Sequence, residues 1–417
     1  MQAQKTVLAN GLRVLTERLD HVDSVSLGVW VTTGSKDEPR GSEGLTHLLE
    51  HMLFKGTETR STRQIAEAID DVGGHVNGFT DRECVYLFAR TIGERTETAL
   101  GLLFDLLLQS VFAEDDLRRE KQVVVQEIGH AEDSPEGWVH ELLPQVAWPD
   151  HGLGRPLMGS RESVAAFSRD SLLGHREELC AADHLVVAAA GAVEHDRVVE
   201  LASRLGGELN PGRPRAEEAP PVFHSERRLI SRASAQVHFC LATPGCARRD
   251  EARHALAVLD TILGGGSSSR LFQEIRENRG LAYGIGSYLQ SYRDAGLLII
   301  DGGTGPENFE LVLELIAREV DRLRAEGPSP GELERAKTQL KVAVALAAES
   351  TSFRMQHLAA SEIVWGRVLP FDEIIAGLER VTAEDVHELA AAAFAEGRQA
   401  LVAIGPLDSA EAQTTHD

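Results

Sequence analysis

Residues 25–38 read VSLGVWVTTGSKDE, and residues 237–251 read VHFCLATPGCARRDE. In each stretch apolar side chains alternate as a half-buried strand requires. A glycine then breaks the pattern (Gly34, Gly245) and two acidic residues follow, Asp37 and Glu38 in one, Asp250 and Glu251 in the other. The echo continues downstream. An apolar-periodic helix leads to a strand-like stretch, HVNGFTDRECVYLFAR (75–90) or GIGSYLQSYRDAGLLIID (284–301). An amphipathic helix comes next, at 96–112 or 306–323. An order of elements repeated at a spacing of about 200 residues predicts a duplicated α/β unit.

Length and composition agree with this reading. The 417 residues are 42% hydrophobic and 26% charged, enough for two globular domains with their own cores and too apolar for a disordered chain. Residues 206–226, GGELNPGRPRAEEAPPVFHSE, interrupt every periodic pattern with glycine, proline and charge. They predict a linker between an N-terminal domain, 1–205, and a C-terminal domain, 227–417.

Several function classes are disfavoured. A formal charge of −23, from 65 acidic against 42 basic residues, argues against nucleic acid as the main partner and is compatible with a preference for cationic peptides. No apolar run approaches the ~18 residues that span a bilayer, and the N-terminal stretch lacks the apolar segment of a secretory signal, so a cytoplasmic protein with no membrane partner is expected. Cys84, Cys180, Cys240 and Cys246 form no C-x-x-C pair and read as reduced structural thiols. The run LGGGSSSR, 263–270, lacks the order and the lysine of a phosphate loop and reads as a connection.

Chemistry is concentrated in THLLEHMLFKGT, residues 46–57. Ser42 is expected to cap a helix that carries Glu43 in its first turn and stops at Gly56 after Lys55. His47 and His51 are one helical turn apart and reach one small cation from a rigid support, with Glu50 beside them. Imidazole nitrogen and carboxylate oxygen are zinc ligands, and a carboxylate next to zinc-activated water can take its proton. The H-x-x-E-H order is the inverzincin signature, although alone it also describes two ordinary histidines on a half-buried helix. A third ligand is sought in DDLRREKQVVVQEIGHAED, 115–133, where Glu120, Glu127, His130 and Glu132 are candidates. If Glu127 is the ligand, Glu120, seven residues earlier on nearly the same face, is placed to orient a ligand imidazole. One E-x-x-H pair, Glu127 with His130, also matches half of a di-iron site, but no second pair is found. In the other half, aligning Asp37 with Asp250 puts Asp260, Leu263 and Gly264 opposite His47, Glu50 and His51, so that copy lacks the motif.

With GLTHLLEHMLFKGT (44–57) and VVVQEIGHAEDSPE (123–136), the sequence resembles the pitrilysin and insulysin family of zinc peptidases, over nearly its whole length. It is most similar to the half-length branch that includes the beta subunit of the mitochondrial processing peptidase. The resemblance implies an α+β fold of two homologous α/β domains, each a mostly antiparallel sheet packed with helices, pairing as a dimeric clamshell around a closed chamber. It assigns one Zn2+ per chain to His47, His51 and Glu127, and makes Glu50 the catalytic base. The segment SSRLFQEIRENRGLAYGIGSY, 268–288, resembles the family's Arg/Tyr segment, which implies that Arg276 and Tyr283 hold substrate and polarise the scissile carbonyl in the partner subunit's site. Asn77 would lie beside a peptide added to the sheet edge, and Gly78 stands where the family commonly has alanine.

The implied activity is endopeptidase action on short or unfolded peptides. Because one chain carries both motifs, a homodimer is expected, with a heterodimer of related subunits as the alternative. A non-catalytic assembly subunit of the same fold and a maturation protease dedicated to one protein are the rival functions.

Overall fold

The computed structural model describes residues 3–212 and 218–407. Within the predicted linker 206–226, positions 213–217 lie outside the described residues. Among the described residues, eleven strands build two sheets. The first holds β1 (Gln4–Val7), β2 (Arg13–Arg18), β3 (Ser24–Val31), β4 (His75–Thr80), β5 (Val85–Ile92) and β6 (Leu185–Gly191) in the order β1-β2-β6-β3-β5-β4. The second holds β7 (Arg227–Ser231), β8 (Val237–Pro244), β9 (Ala282–Ser291), β10 (Gly296–Thr304) and β11 (Ala400–Gly405) in the order β7-β11-β8-β10-β9.

The duplication is explicit in this topology. Both β2-β6-β3-β5-β4 and β7-β11-β8-β10-β9 open with one parallel pair and continue antiparallel to an edge strand, β4 or β9. The expected α+β architecture of two domains with mostly antiparallel sheets is the one observed. Each strand-like stretch of the sequence resolves into a hairpin, β4–β5 or β9–β10. In the first, the amide of Asp81 bonds to the carbonyl of Cys84, and in the second Tyr292 bonds to Ala295.

By compactness the chain forms two units. The first comprises Met1–Gly129, Arg155–Glu218 and Leu346–Leu369, and the second His130–Gly154, Ala219–Ala345 and Pro370–Asp417. Each unit therefore takes one helix from the other half of the sequence. In the first unit, helix Thr351–Trp365 buries Met355, Leu358 and Ala359 against Leu15, Trp30, Val186, Ala188 and Ala190 of the sheet. In the second, helix Pro135–Ala147 buries Val139, Leu143 and Val146 against Cys240, Ala242, Ile299, Val402 and Ile404. The other face of the first sheet carries a larger apolar core that includes Leu48, Leu49, Met52 and Leu53, the residues that anchor the histidine helix.

Candidate metal centre

The histidine helix runs Leu45–Leu53 and lies against β4. Its apolar face is fully used, since Leu48, Met52 and Leu53 are buried in the core. His47, Glu50 and His51 are consequently turned to the half-buried opposite side. The start of the helix differs from the expected Ser42 cap. The helix is entered through Gly44 at φ +91°, where a Cβ would stand 2.3 Å from the carbonyl oxygen of Met158. Its free N–H groups are taken by the buried carboxylate of Glu38, whose Oε2 accepts from Gly44 N at 2.9 Å and Oε1 from Thr46 N at 2.6 Å. A carboxylate at this position satisfies orphan amides and complements the helix dipole, which a serine two residues before Gly44 does not reach. Burial nonetheless pushes the Glu38 carboxyl up to about 7 against those hydrogen bonds.

The second helix, Glu114–Asp133, is fixed by Leu117, Val124 and Ile128 and presents Glu120 and Glu127 to the histidines. Among the described residues, His47, His51 and Glu127 are the one group of three potential ligands whose donor atoms converge, all within 4.8 Å of one another. Glu127 Oε2 is 3.4 Å from His51 Nε2 and 4.0 Å from His47 Nε2, and the two ring centres are 4.7 Å apart. Neighbouring ligand atoms of a tetrahedral site with bonds of about 2.1 Å are separated by roughly 3.4 Å, so the set fits zinc with little movement. His130 is exposed and Glu132 is not among the converging donors.

The neighbours prepare the ligands. Glu120 Oε2 accepts from His51 Nδ1 at 3.3 Å, an arrangement that orients the ring with Nε2 toward Glu127 Oε2. Lys55 Nζ sits 2.8 Å from the other oxygen of Glu120. Burial, with a smaller contribution from His51, lowers His47 to about 4, so its ring is neutral at neutral pH. Its Nδ1 is buried and has no hydrogen-bond partner among the described residues. Glu50 is raised above the usual carboxylate range by burial, opposed by the hydrogen bond from Thr80 Oγ1 to Oε2 at 2.9 Å and by His51. Sequence reasoning missed Glu38, Lys55 and Thr80. Of these only Thr80 left a trace, the alternation of β4 that places it on the inward face with Val76.

Fold and site geometry now bear comparison with known proteins. The description "Insulinase (Peptidase family M16)" matches residues 13–161, and "Peptidase M16 inactive domain" matches 166–340. An uncharacterized zinc protease of Bacillus subtilis is 38% identical over 397 residues, covering 95% of this chain and 97% of that protein. The chain belongs to the M16 peptidase family. A second M16 relative, an uncharacterized zinc protease of Streptomyces coelicolor, is also 38% identical, over 99% of this chain and 92% of its own. The fold is shared with a crystal structure of a peptidase M16 inactive domain from Pseudomonas fluorescens, with a TM-score of 0.90 at 22% identity over the whole of both chains. It is shared as well with a protease from Helicobacter pylori, at a TM-score of 0.89 and 20% identity over 97% and 99% of the two chains. With relatives of matching length, this is a half-length M16 unit.

On helix Arg253–Leu263, Asp260 receives a 2.5 Å hydrogen bond from Ser287 of β9, and burial pushes its carboxyl up to about 6. Arg276 and Tyr283 belong to this second unit. The Arg276 guanidinium lies 4.7 Å from the ring centre of Phe272 and 4.9 Å from that of Tyr283, whose side chain is 83% exposed. Asn77 is exposed on β4, the edge of the first sheet, and its Oδ1 accepts from Gly78 N at 2.9 Å. No helix among the described residues is long and apolar enough to cross a membrane.

Proposed function

We propose that this M16 chain is a zinc-dependent endopeptidase for short or unfolded peptides. The reading rests above all on the convergence of His47, His51 and Glu127 with Glu50 beside them. His47, His51 and Glu127 would hold the zinc, which would supply Lewis acidity toward the carbonyl and lower the pKa of a bound water to about 7. Glu50 removes the proton from the attacking water and returns it to the leaving amine. The exposed edge of β4 receives the peptide as an added strand, gripping any extended main chain while side-chain contacts near Asn77 select among sequences.

Arg276 and Tyr283 act on the partner subunit's site in a homodimer, Tyr283 donating to the oxyanion and Arg276 fixing a substrate carbonyl. Pairing of two such chains as a clamshell encloses the sites in a chamber and excludes folded proteins. A heterodimer with a related subunit would be built in the same way.

The test is digestion of a diverse set of unstructured peptides by the protein and by Glu50→Gln, followed by mass spectrometry with and without chelator. The expected result is cleavage by the wild type alone, lost with chelator and restored by zinc. Equal products from both proteins would remove Glu50 from its role, and no products from either would favour an assembly subunit or a dedicated maturation protease.

A further inference from the structure

We propose that Thr80 is a positioning residue that fixes the orientation of the Glu50 carboxylate, and that β4 thereby holds the base on one face while its edge and other face receive the peptide. The inference rests on the reading of Glu50 as the base.

The terminal torsion of a glutamate is broad, so a carboxylate with no partner samples many orientations. Glu50 is held instead. Thr80 Oγ1 donates to Oε2 at 2.9 Å. Thr80 is itself immobilised, 5% exposed and paired with Val85 of β5 beside the hairpin turn.

Between the carboxylate and the strand there is no side chain, because position 78 is glycine. A Cβ there would lie 3.0 Å from both Cγ and Oε1 of Glu50 and 3.0 Å from Leu87 Cδ2. Glu50 therefore lies directly against the strand, and Thr80 is the group that pins it. Successive residues of a strand point to opposite faces, so Gly78 and Thr80 line the Glu50 side while Asn77 and Phe79 are exposed on the other. One short strand thus sets the position of the peptide relative to the base. A displacement of about 1 Å at a reacting group can cost 10²-fold in rate.

The experiment measures kcat, KM and zinc content for the zinc-loaded protein and for Thr80→Val, Thr80→Ser and Glu50→Gln, using one peptide the wild type cleaves. Thr80→Val keeps the shape and removes the hydroxyl. Loss of a hydrogen bond to a charged group predicts a fall in kcat of roughly ten-fold to a hundred-fold, with KM and zinc content unchanged. Thr80→Ser, which restores a donor, should recover most of the rate. If Thr80→Val does not fold, Thr80→Ala carries the same comparison.

Wild-type kcat in a folded, zinc-loaded hydroxyl-free variant overturns the proposal. So does a loss that serine fails to rescue or that is accompanied by loss of zinc, since either assigns Thr80 a merely structural part. Full activity in Glu50→Gln refutes the base reading itself, a result distinct from any outcome at Thr80.

Discussion

Replacing Glu120 by glutamine tests whether the environment of the ligands matters as much as the ligands. Glu120 is 7% exposed and both of its oxygens face donors, His51 Nδ1 at 3.3 Å and Lys55 Nζ at 2.8 Å. A glutamine of the same shape has one acceptor oxygen and one donor nitrogen, so either amide orientation sets a donor against a donor. Facing the nitrogen toward His51 would favour the tautomer with the proton on Nε2, where the lone pair is needed. The cheaper arrangement keeps oxygen on His51 and releases Lys55, whose side chain is already 30% exposed, into solvent. The bond to His51 then loses its charge-assisted character, and the site loses a negative charge. Groups that orient a metal-ligating histidine typically contribute a factor of about 10 to 100 in affinity, or about 1.4 to 2.7 kcal/mol. Glu120→Gln should therefore bind zinc that much more weakly in competition with a chromophoric chelator, with unchanged far-ultraviolet circular dichroism. An affinity within about two-fold of the wild type would refute the argument.

Two further outcomes concern stability. The Asp260 carboxyl, pushed up to about 6 from an ordinary 3.8, binds its proton more tightly in the folded than in the unfolded state. Its contribution is thus fully present below pH 3.8 and lost as pH rises through 6. Asp260→Asn removes that slope, so denaturant titrations should show the variant gaining on the wild type by up to about 3 kcal/mol from pH 4 to pH 7, whereas parallel curves would count against it. Leu358→Ala empties a fully buried position of helix Thr351–Trp365 and should cost about 2 to 5 kcal/mol in urea unfolding; a loss below about 1 kcal/mol would mean that this helix does not close the first sheet.

The parts of this protein legible in its sequence are those set by short-range periodicity. The alternation at 25–38 and 237–251 gave β3 and β8, and the echo between halves reappears as two sheets with matching strand order. A spacing of four residues on a helix necessarily brings His47 and His51 together, and helical phase turns Glu120 and Glu127 to one side. Contacts made by distant segments left weaker marks. Glu38 caps the histidine helix from before a loop, where a local rule favoured Ser42. Lys55 and Thr80 reach Glu120 and Glu50 only through the docking of a second helix and the register of β4. Nothing local in the sequence shows that helices 135–147 and 351–365 are each buried on a sheet built from the other half of the chain.

That exchange of helices has a bearing on how the protein is made. When β6 leaves the ribosome every strand of the first sheet exists, yet Leu15, Trp30 and Val186 have nothing to cover them until residues 351–365 are synthesised. Helix Pro135–Ala147, conversely, is finished long before β8 and β11, the strands it will cover. Domains usually fold one after another, N-terminal first, as they emerge. Here the nascent first half must carry an uncovered apolar sheet from the completion of β6 at Gly191 until Thr351–Trp365 is made, and β11, near the end of the chain, inserts between β7 and β8 to complete the second sheet. Both halves are therefore committed to fold late and together, and a ribosome that stalls between them releases an aggregation-prone intermediate instead of a working domain.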